Sequence, residues 1–364
     1  MPELPRPGWY PRQARGAWLS ARVGTALGLS FTLCFLTGLI SHLHQHSTLL
    51  PSQPAWGYAL SQGLHVTSGI ASIPLLAVKL WSVAPRFWKR PLIGGVLRMA
   101  ERASVLVLVA SAVFELVTGL LNVAEVYAFG FYFPPVHYAV AWLAIGAIAV
   151  HVAVQLPVVR RELGRPDAEP VSSGLGRRQV LGLAGVASLL AAMATAGDKL
   201  PFLRPLGVLS QRSGDGPQGV PVNRSAAAAG VTATDGWSLE VVDGDRTQSF
   251  TLAQMAALPQ REAYLPIACV EGWNAWARWE GVRLADLIDA PGAVSLVVVS
   301  SPDRGGYGRS TVGPGTLGDP QTLLALRVNG DALAPDHGYP LRLIAPNRPG
   351  ALQTKWVNRI EVQR

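Results

Sequence analysis

The chain has 364 residues, 49% of them apolar, with a formal net charge of +8 and two cysteines. That length allows two or more domains. The basic excess lies entirely in residues 1–197, which hold 15 Lys and Arg against 7 Asp and Glu, whereas residues 198–364 hold 16 of each. No Lys/Arg run interleaved with aromatics occurs, so the charge speaks against nucleic acid as a partner.

Four long apolar segments open the chain, at approximately 21–41, 58–82, 103–123 and 134–158. Each is near the ~20 residues a helix needs to cross a bilayer, and only a helix satisfies its own backbone at that depth. Arg6, Arg12, Arg15 and Arg22 precede the first segment. Lys79, Arg86, Lys89, Arg90, Arg98 and Arg102 surround the connection between the second and third, and Arg160, Arg161, Arg165, Arg177 and Arg178 follow the fourth. The opposite connections, 42–57 and 124–133, contain neither Lys nor Arg. The positive-inside rule then puts the N-terminus in the cytoplasm and these two connections outside.

A fifth, weaker segment at 180–196 follows Arg177-Arg178 and ends in Ala194-Thr195-Ala196. It resembles a twin-arginine export signal; the plain alternative is an anchor helix whose arginines obey the charge rule. Read as an uncleaved tether, it carries the remaining chain outward. Gly, Pro, Ser and Gln mark 198–222 as a linker. Beyond it, "WSLEVVDG", "VSLVVVSS" and "PLRLIAP" alternate as strands, with one helix at 252–258. The expected architecture is multidomain. An all-α transmembrane four-helix domain (1–165) is followed by a signal-like fifth helix (166–197), the linker, and an α+β, mostly β, domain (223–364).

Six of the seven histidines fall in or beside the four helices: His42, His44, His46, His65, His137 and His151. A histidine in hydrocarbon needs a partner. His137 and His151 are 14 residues apart, so both project from one helix face about 21 Å apart. His65 lies roughly 10 Å and His137 roughly 5 Å below the outer surface, where modest tilt brings both to one iron as a bis-imidazole haem site. Gly63, Gly69 and Gly119 leave room for a macrocycle or a close helix. The alternative is that these histidines only hydrogen-bond between helices. The run of His42, His44 and His46 reads as an exposed interfacial loop, with His42 the reserve ligand. Glu115, inside the third helix, suits either a proton relay at a quinone site or a structural carboxylic acid.

This half resembles the cytochrome b subunits of membrane-bound formate dehydrogenases and hydrogenases, four-helix proteins with two histidines 14 apart on helix four. The resemblance implies that His65 and His137 hold an outer haem b. The inner haem's histidine on helix one has no counterpart in "SARVGTALGLS". One haem is therefore expected, with two as the alternative and His151 without an assigned partner.

Cys269 is the one cysteine of the β-rich half, which excludes a disulfide within it. An inert buried thiol, a nucleophile and a metal ligand remain. Count excludes Cys-rich zinc sites, but a lone thiolate can complete a metal whose other sulfurs come from a cofactor. The pieces "PVNRSA", "LPIACVEGW", "WEGVRLADLI", "LLALRVNGDAL" and "DHGYPLRLIAPNRPGALQTKWVNRIEV" occur in this order from about 221 to 362. That stretch resembles the molybdopterin domain of the sulfite oxidase family, which includes catalytic subunits of bacterial methionine sulfoxide reductases.

The resemblance implies that Cys269 is the protein thiolate on molybdenum. Asn223, Arg224, His337, Arg342, Arg348 and Lys355 fall in its cofactor-binding segments, where Arg and Lys suit a phosphate and His337 would donate to pterin nitrogens. Trp273, Trp276 and Trp279 pack the core or wall the pocket; "WEGVRLADLI" reads as a turn leading into a short helix. The family's sulfite-oxidising members follow the cysteine with arginines for an anionic substrate. Here the segment is "VEGWNAW", which favours a neutral one.

The expected function is a fused membrane oxidoreductase. Electrons pass between quinone, haem b and an extracytoplasmic Mo-molybdopterin that transfers oxygen to or from a small sulfur- or nitrogen-oxide substrate. Reduction of a sulfoxide is the favoured direction. Sulfite-type oxidation toward quinone is the alternative, and a non-enzymatic haem protein with a docking module is the reading of another class.

Overall fold

The computed structural model describes residues 16–88, 95–166, 176–196, 206–207, 216–231, 236–288, 295–300 and 308–364. Arg6, Arg12, Arg15, Lys89, Arg90 and most of the expected linker lie outside the described residues. Five helices come first: α1 (Ala17–His46), α2 (Gly57–Phe87), α3 (Val96–Val123), α4 (Pro134–Leu163) and α5 (Arg177–Ala196). All five are long and apolar enough to cross a membrane. They leave large apolar side chains such as Leu29, Leu106, Val150 and Leu189 exposed, as surfaces facing hydrocarbon do.

The chain forms two compact units, Met1–Gly38 with Leu64–Gln211 and Leu39–Gly63 with Arg212–Arg364. In the first, polar groups join neighbouring helices. Lys79 Nζ donates to the Ser20 carbonyl and to its hydroxyl, both at 2.8 Å. The Arg22 guanidinium donates to the carbonyls of Glu162 and Leu163, satisfying acceptors that the last turn of α4 leaves free. The histidine run corrects an expectation: α1 continues through His42, His44 and His46 instead of ending in a loop. No glycine or proline occurs between Gly38 and Pro51, so nothing local stops the helix at the histidines.

Among its described residues the second unit carries ten strands: β1 (Ser238–Asp243), β2 (Arg246–Thr251), β3 (Gln260–Ala268), β4 (Asn274–Arg283), β5 (Ser295–Ser300), β6 (Arg309–Val312), β7 (Leu323–Val328), β8 (Asp331–Ala332), β9 (Arg342–Ile344) and β10 (Val357–Gln363). One sheet runs β2-β1-β10-β5-β6; the other runs β3-β4-β7-β8, with β9 also pairing β7. The four short helices are α6 (Ala226–Ala229), α7 (Leu252–Ala257), α8 (Leu284–Leu287) and α9 (Pro314–Gly318). A reciprocal cap between Thr251 and Gln254 starts α7.

Alternation buries Leu239 and Val241 of β1 among Met255, Leu296, Val298, Leu343 and Ile360. A second core gathers Leu265, Ile267, Cys269, Trp273, Trp279 and Ile344. Trp276 departs from the expected pattern, since it is exposed and stacks on Tyr264. "WEGVRLADLI" also differs: Trp279 to Arg283 continue β4, and only then does α8 begin. At the linker's end, Val220 is fully buried and Gln218 bonds Ala332 and Ala334, so these residues are part of the packed unit.

The connection between α1 and α2 is built into this same unit. Ser52 and Gln53 donate to the Asp319 carboxylate. Asn347 donates from its side chain to the Pro51 carbonyl and from its backbone to Ala55. Its Oδ1 accepts the Tyr58 N–H at 2.6 Å, capping the start of α2 from nearly 300 residues away in sequence.

Candidate functional site

Cys269 follows the last residue of β3 in the tight turn to β4. Its N–H donates to the Trp273 carbonyl, and the Gly272 N–H returns to the Cys269 carbonyl. The turn fixes the thiol, which is 1% exposed and donates to Glu271 Oε2 at 3.1 Å. Trp273 Nε1 donates to the same oxygen, also at 3.1 Å. The Asn347–Leu352 segment runs alongside, where Ala268 bridges Pro349.

Three residues expected to bind a cofactor, His337, Arg342 and Lys355, converge, and Lys355 lies in electrostatic reach of Cys269. His337 is fully buried; its Nε2 lies 2.6 Å from the Pro217 carbonyl. Burial holds it neutral, its pKa lowered to about 4. Because Nε2 donates to a carbonyl, Nδ1 carries the lone pair, and it is buried without a partner. His337 therefore presents an acceptor, which corrects the expectation of a donor. Arg342, 3% exposed, gives Nη1 to the His337 carbonyl, while its Nε is buried and unpartnered. Burial lowers its pKa to about 9.

Lys355 Nζ donates to the carbonyls of Arg224 and Asp336. Its pKa is lowered to about 7, first by burial and then by the Arg342 cation, against the opposing charges of Asp336 and Cys269. Gly338, at φ +103°, lets the chain turn between His337 and Lys355, where a Cβ would lie 2.9 Å from that of Lys355. Arg348 is tied to the carbonyls of Leu352 and Thr311. Asn223 and Arg224 are exposed, and Arg224 joins the group through its carbonyl alone.

A group holding buried cations, an orphan donor at Arg342, an orphan acceptor at His337 and a third orphan at Gln353 Oε1 is incomplete as it stands. It suits an anionic ligand with ring nitrogens, and a phosphate-bearing pterin has that chemistry. Sequence reasoning missed Asp336 and Gln353; nothing in the pattern marked Gln353.

In the first unit, His65 and His137 face each other with ring centroids 6.3 Å apart. Two imidazoles on opposite sides of one metal take about that separation when each nitrogen lies about 2 Å from the metal. His65 Nδ1 lies 2.8 Å from the Cys34 carbonyl on α1. His137 Nδ1 lies 2.7 Å from Thr118 Oγ1 on α3. His65 is thus oriented through Nδ1, whereas His137 has a partner at each ring nitrogen, Thr118 at Nδ1 and Glu115 at Nε2. Glu115 Oε2 lies 3.1 Å from His137 Nε2, and its other oxygen is buried without a partner. Gly38 permits the approach of α1, because a Cβ there would lie 2.8 Å from His65 Cε1. The ring of His42 packs on that of His46. His151, half-buried, lies in electrostatic reach of Lys79.

Residues 226–364 match the family model described as the oxidoreductase molybdopterin binding domain. Over 155 residues the chain is 30% identical to the mitochondrial sulfite oxidase of Drosophila melanogaster, covering 35% of this chain and 27% of that protein. It is 32% identical over 143 residues to the NAD(P)H nitrate reductase of Hordeum vulgare, covering 34% and 16%. It is 30% identical over 115 residues to the putative protein-methionine-sulfoxide reductase subunit YedZ1 of Azospira oryzae, covering 31% and 44%. The chain spans less than half the length of each of these relatives.

Proposed function

Taking residues 226–364 as a molybdopterin-binding oxidoreductase domain, we propose that the protein is a membrane oxidoreductase that moves one oxygen atom from a sulfoxide, using electrons drawn from quinol through a haem b. The observation that carries this reading is the buried Cys269 thiol in the same unit as a cationic group whose polar atoms lack partners. The printed names of the relatives agree with it. Sulfite, nitrate and methionine sulfoxide share the gain or loss of one oxygen on sulfur or nitrogen.

Molybdopterin supplies two-electron oxygen-atom transfer when bound. Cys269 gives the metal its protein thiolate. Arg342 and Lys355 neutralise the cofactor's phosphate; His337 Nδ1 accepts a hydrogen bond from a ligand N–H. Arg348, Asn223 and Arg224 belong to the same binding segments. Trp273 keeps the Glu271 carboxylate beside the sulfur, so an anionic substrate meets like charge there. That favours a neutral sulfoxide over sulfite. The balance is sulfoxide plus two electrons and two protons giving sulfide and water, while quinol releases the same electrons and protons on becoming quinone.

His65 and His137 hold the haem, whose chemistry is one-electron transfer. His151 and His42 take no ligand role in a one-haem count. The positive-inside rule sets the N-terminus in the cytoplasm and the molybdopterin domain outside. α5 serves as the tether, with Arg177 and Arg178 as a twin-arginine-like pair. The sulfite oxidase relatives favour the opposite direction, from substrate to quinone. Anaerobic mixing of purified full chain separates the two. Methionine sulfoxide should re-oxidise reduced haem, and sulfite should leave oxidised haem unchanged. Rapid haem reduction by sulfite with no response to sulfoxide would reverse the assignment.

A further inference from the structure

We propose that Gln62 is the bonded link through which electrons pass between Cys269 and the helix that carries His65. The inference rests on the proposed function, because it presupposes a metal on Cys269 and a haem on His65. Gln62 lies on α2, three residues before His65, or about 4.5 Å along the helix axis. Its Nε2 donates to the Val270 carbonyl at 2.6 Å, and Val270 is bonded directly to Cys269. The side chain is 5% exposed and its Oε1 has no partner. A buried, half-satisfied amide costs stability, so its placement calls for a reason other than packing.

The route is continuous. From the Cys269 sulfur it follows covalent bonds to the Val270 carbonyl, crosses one short hydrogen bond to the Gln62 amide, and continues through the α2 backbone to His65. Electronic coupling falls off more slowly through bonds and short hydrogen bonds than across van der Waals gaps. The 2.6 Å hydrogen bond from Gln62 to Val270 is a bond of that kind. Asn347 keeps the bond in register by capping the first turn of α2, with Oδ1 at 2.6 Å from the Tyr58 nitrogen. Gln62 is a positioning residue here and takes no part in oxygen transfer. It passes two electrons in sequence, one per haem oxidation, for each sulfoxide reduced and each quinol consumed.

The test uses the full chain in lipid nanodiscs, with the haem pre-reduced by quinol and mixed with methionine sulfoxide while the haem band is followed. Gln62→Leu should slow haem re-oxidation by about tenfold or more. Haem absorbance, molybdenum content and sulfoxide reduction driven by reduced viologen, which bypasses the haem, should stay within about twofold of the unaltered protein. A residue that only clamps the fold would lower molybdenum content or viologen-driven turnover instead, and that result overturns the proposal. So does unchanged haem re-oxidation. If Gln62→Leu fails to assemble, Gln62→Met keeps the length of the side chain while removing the N–H donor to Val270, and the same slowing is expected. Should the unaltered protein turn over with viologen while its own haem never responds to sulfoxide, the haem-to-molybdenum reading itself fails, a distinct outcome.

Discussion

The two units solve the problem of buried polar groups in opposite ways. Among the apolar helices, His65 bonds the Cys34 carbonyl between α2 and α1, and His137 bonds Thr118 and Glu115 between α4 and α3. In the β-rich unit, Arg342, Lys355 and His337 are satisfied mostly by backbone carbonyls, and His337 Nδ1 and Arg342 Nε have no partner. The first arrangement is the one proposed above to hold a haem b between His65 and His137. The second carries net positive charge and suits an anionic cofactor.

The sharpest way to break this comparison is at the sulfur. Cys269→Ala should abolish sulfoxide reduction while leaving the haem spectrum intact; retained turnover would remove the thiolate assignment. Nearly as large an effect is expected from His65→Ala or His137→Ala, each of which should lose the b-type absorbance while molybdenum content persists. Unchanged spectra in both variants would move the haem to another pair.

A smaller loss should follow Lys355→Met. Removing one charge-assisted contact to phosphate costs about 1.5–3 kcal/mol, or roughly ten- to a hundredfold in cofactor affinity. The pH dependence sharpens this prediction. The lowered Lys355 pKa, about 7, leaves the unliganded amine largely neutral above that pH. A bound phosphate favours the ammonium, so binding takes up a proton, and affinity in the unaltered protein should fall as pH rises above about 7. Lys355→Arg, charged throughout, should flatten that profile in a reconstitution titration.

The mildest effect concerns His337. Its folded pKa, about 4, lies below its ordinary value of 6.5, so the unfolded chain binds more protons between them. Stability contributed by burying the neutral ring is present above pH 6.5 and is lost as pH falls toward 4. Denaturant midpoints of the cofactor-free protein should decline over that window, and His337→Gln should decline less.

Much of this was legible in the sequence for local reasons. Helix length and hydropathy mark the five apolar helices, and strand alternation marks β1, β5 and β9 within a residue or two. Cys269 stood out by count. Other features depend on contacts that no window reveals. That 39–63 belongs with 212–364 depends on Asn347 and Asp319 meeting residues far away in sequence. The helical course of His42 to His46 was masked by their polarity, although no breaker was present. The reversed role of His337 follows from one carbonyl, Pro217, in a stretch read as linker. Gln62 had no distinguishing neighbour until α2 was seen against Val270.

The most direct measurement is a joint count of molybdenum, pterin phosphate and haem per chain on protein purified from membranes of cells able to make the cofactor. One molybdenum and one haem per chain, with Cys269 protected from alkylation, is the predicted result. Haem without molybdenum, together with a Cys269 thiol that alkylates freely on unfolding and in the native protein alike, would contradict the account.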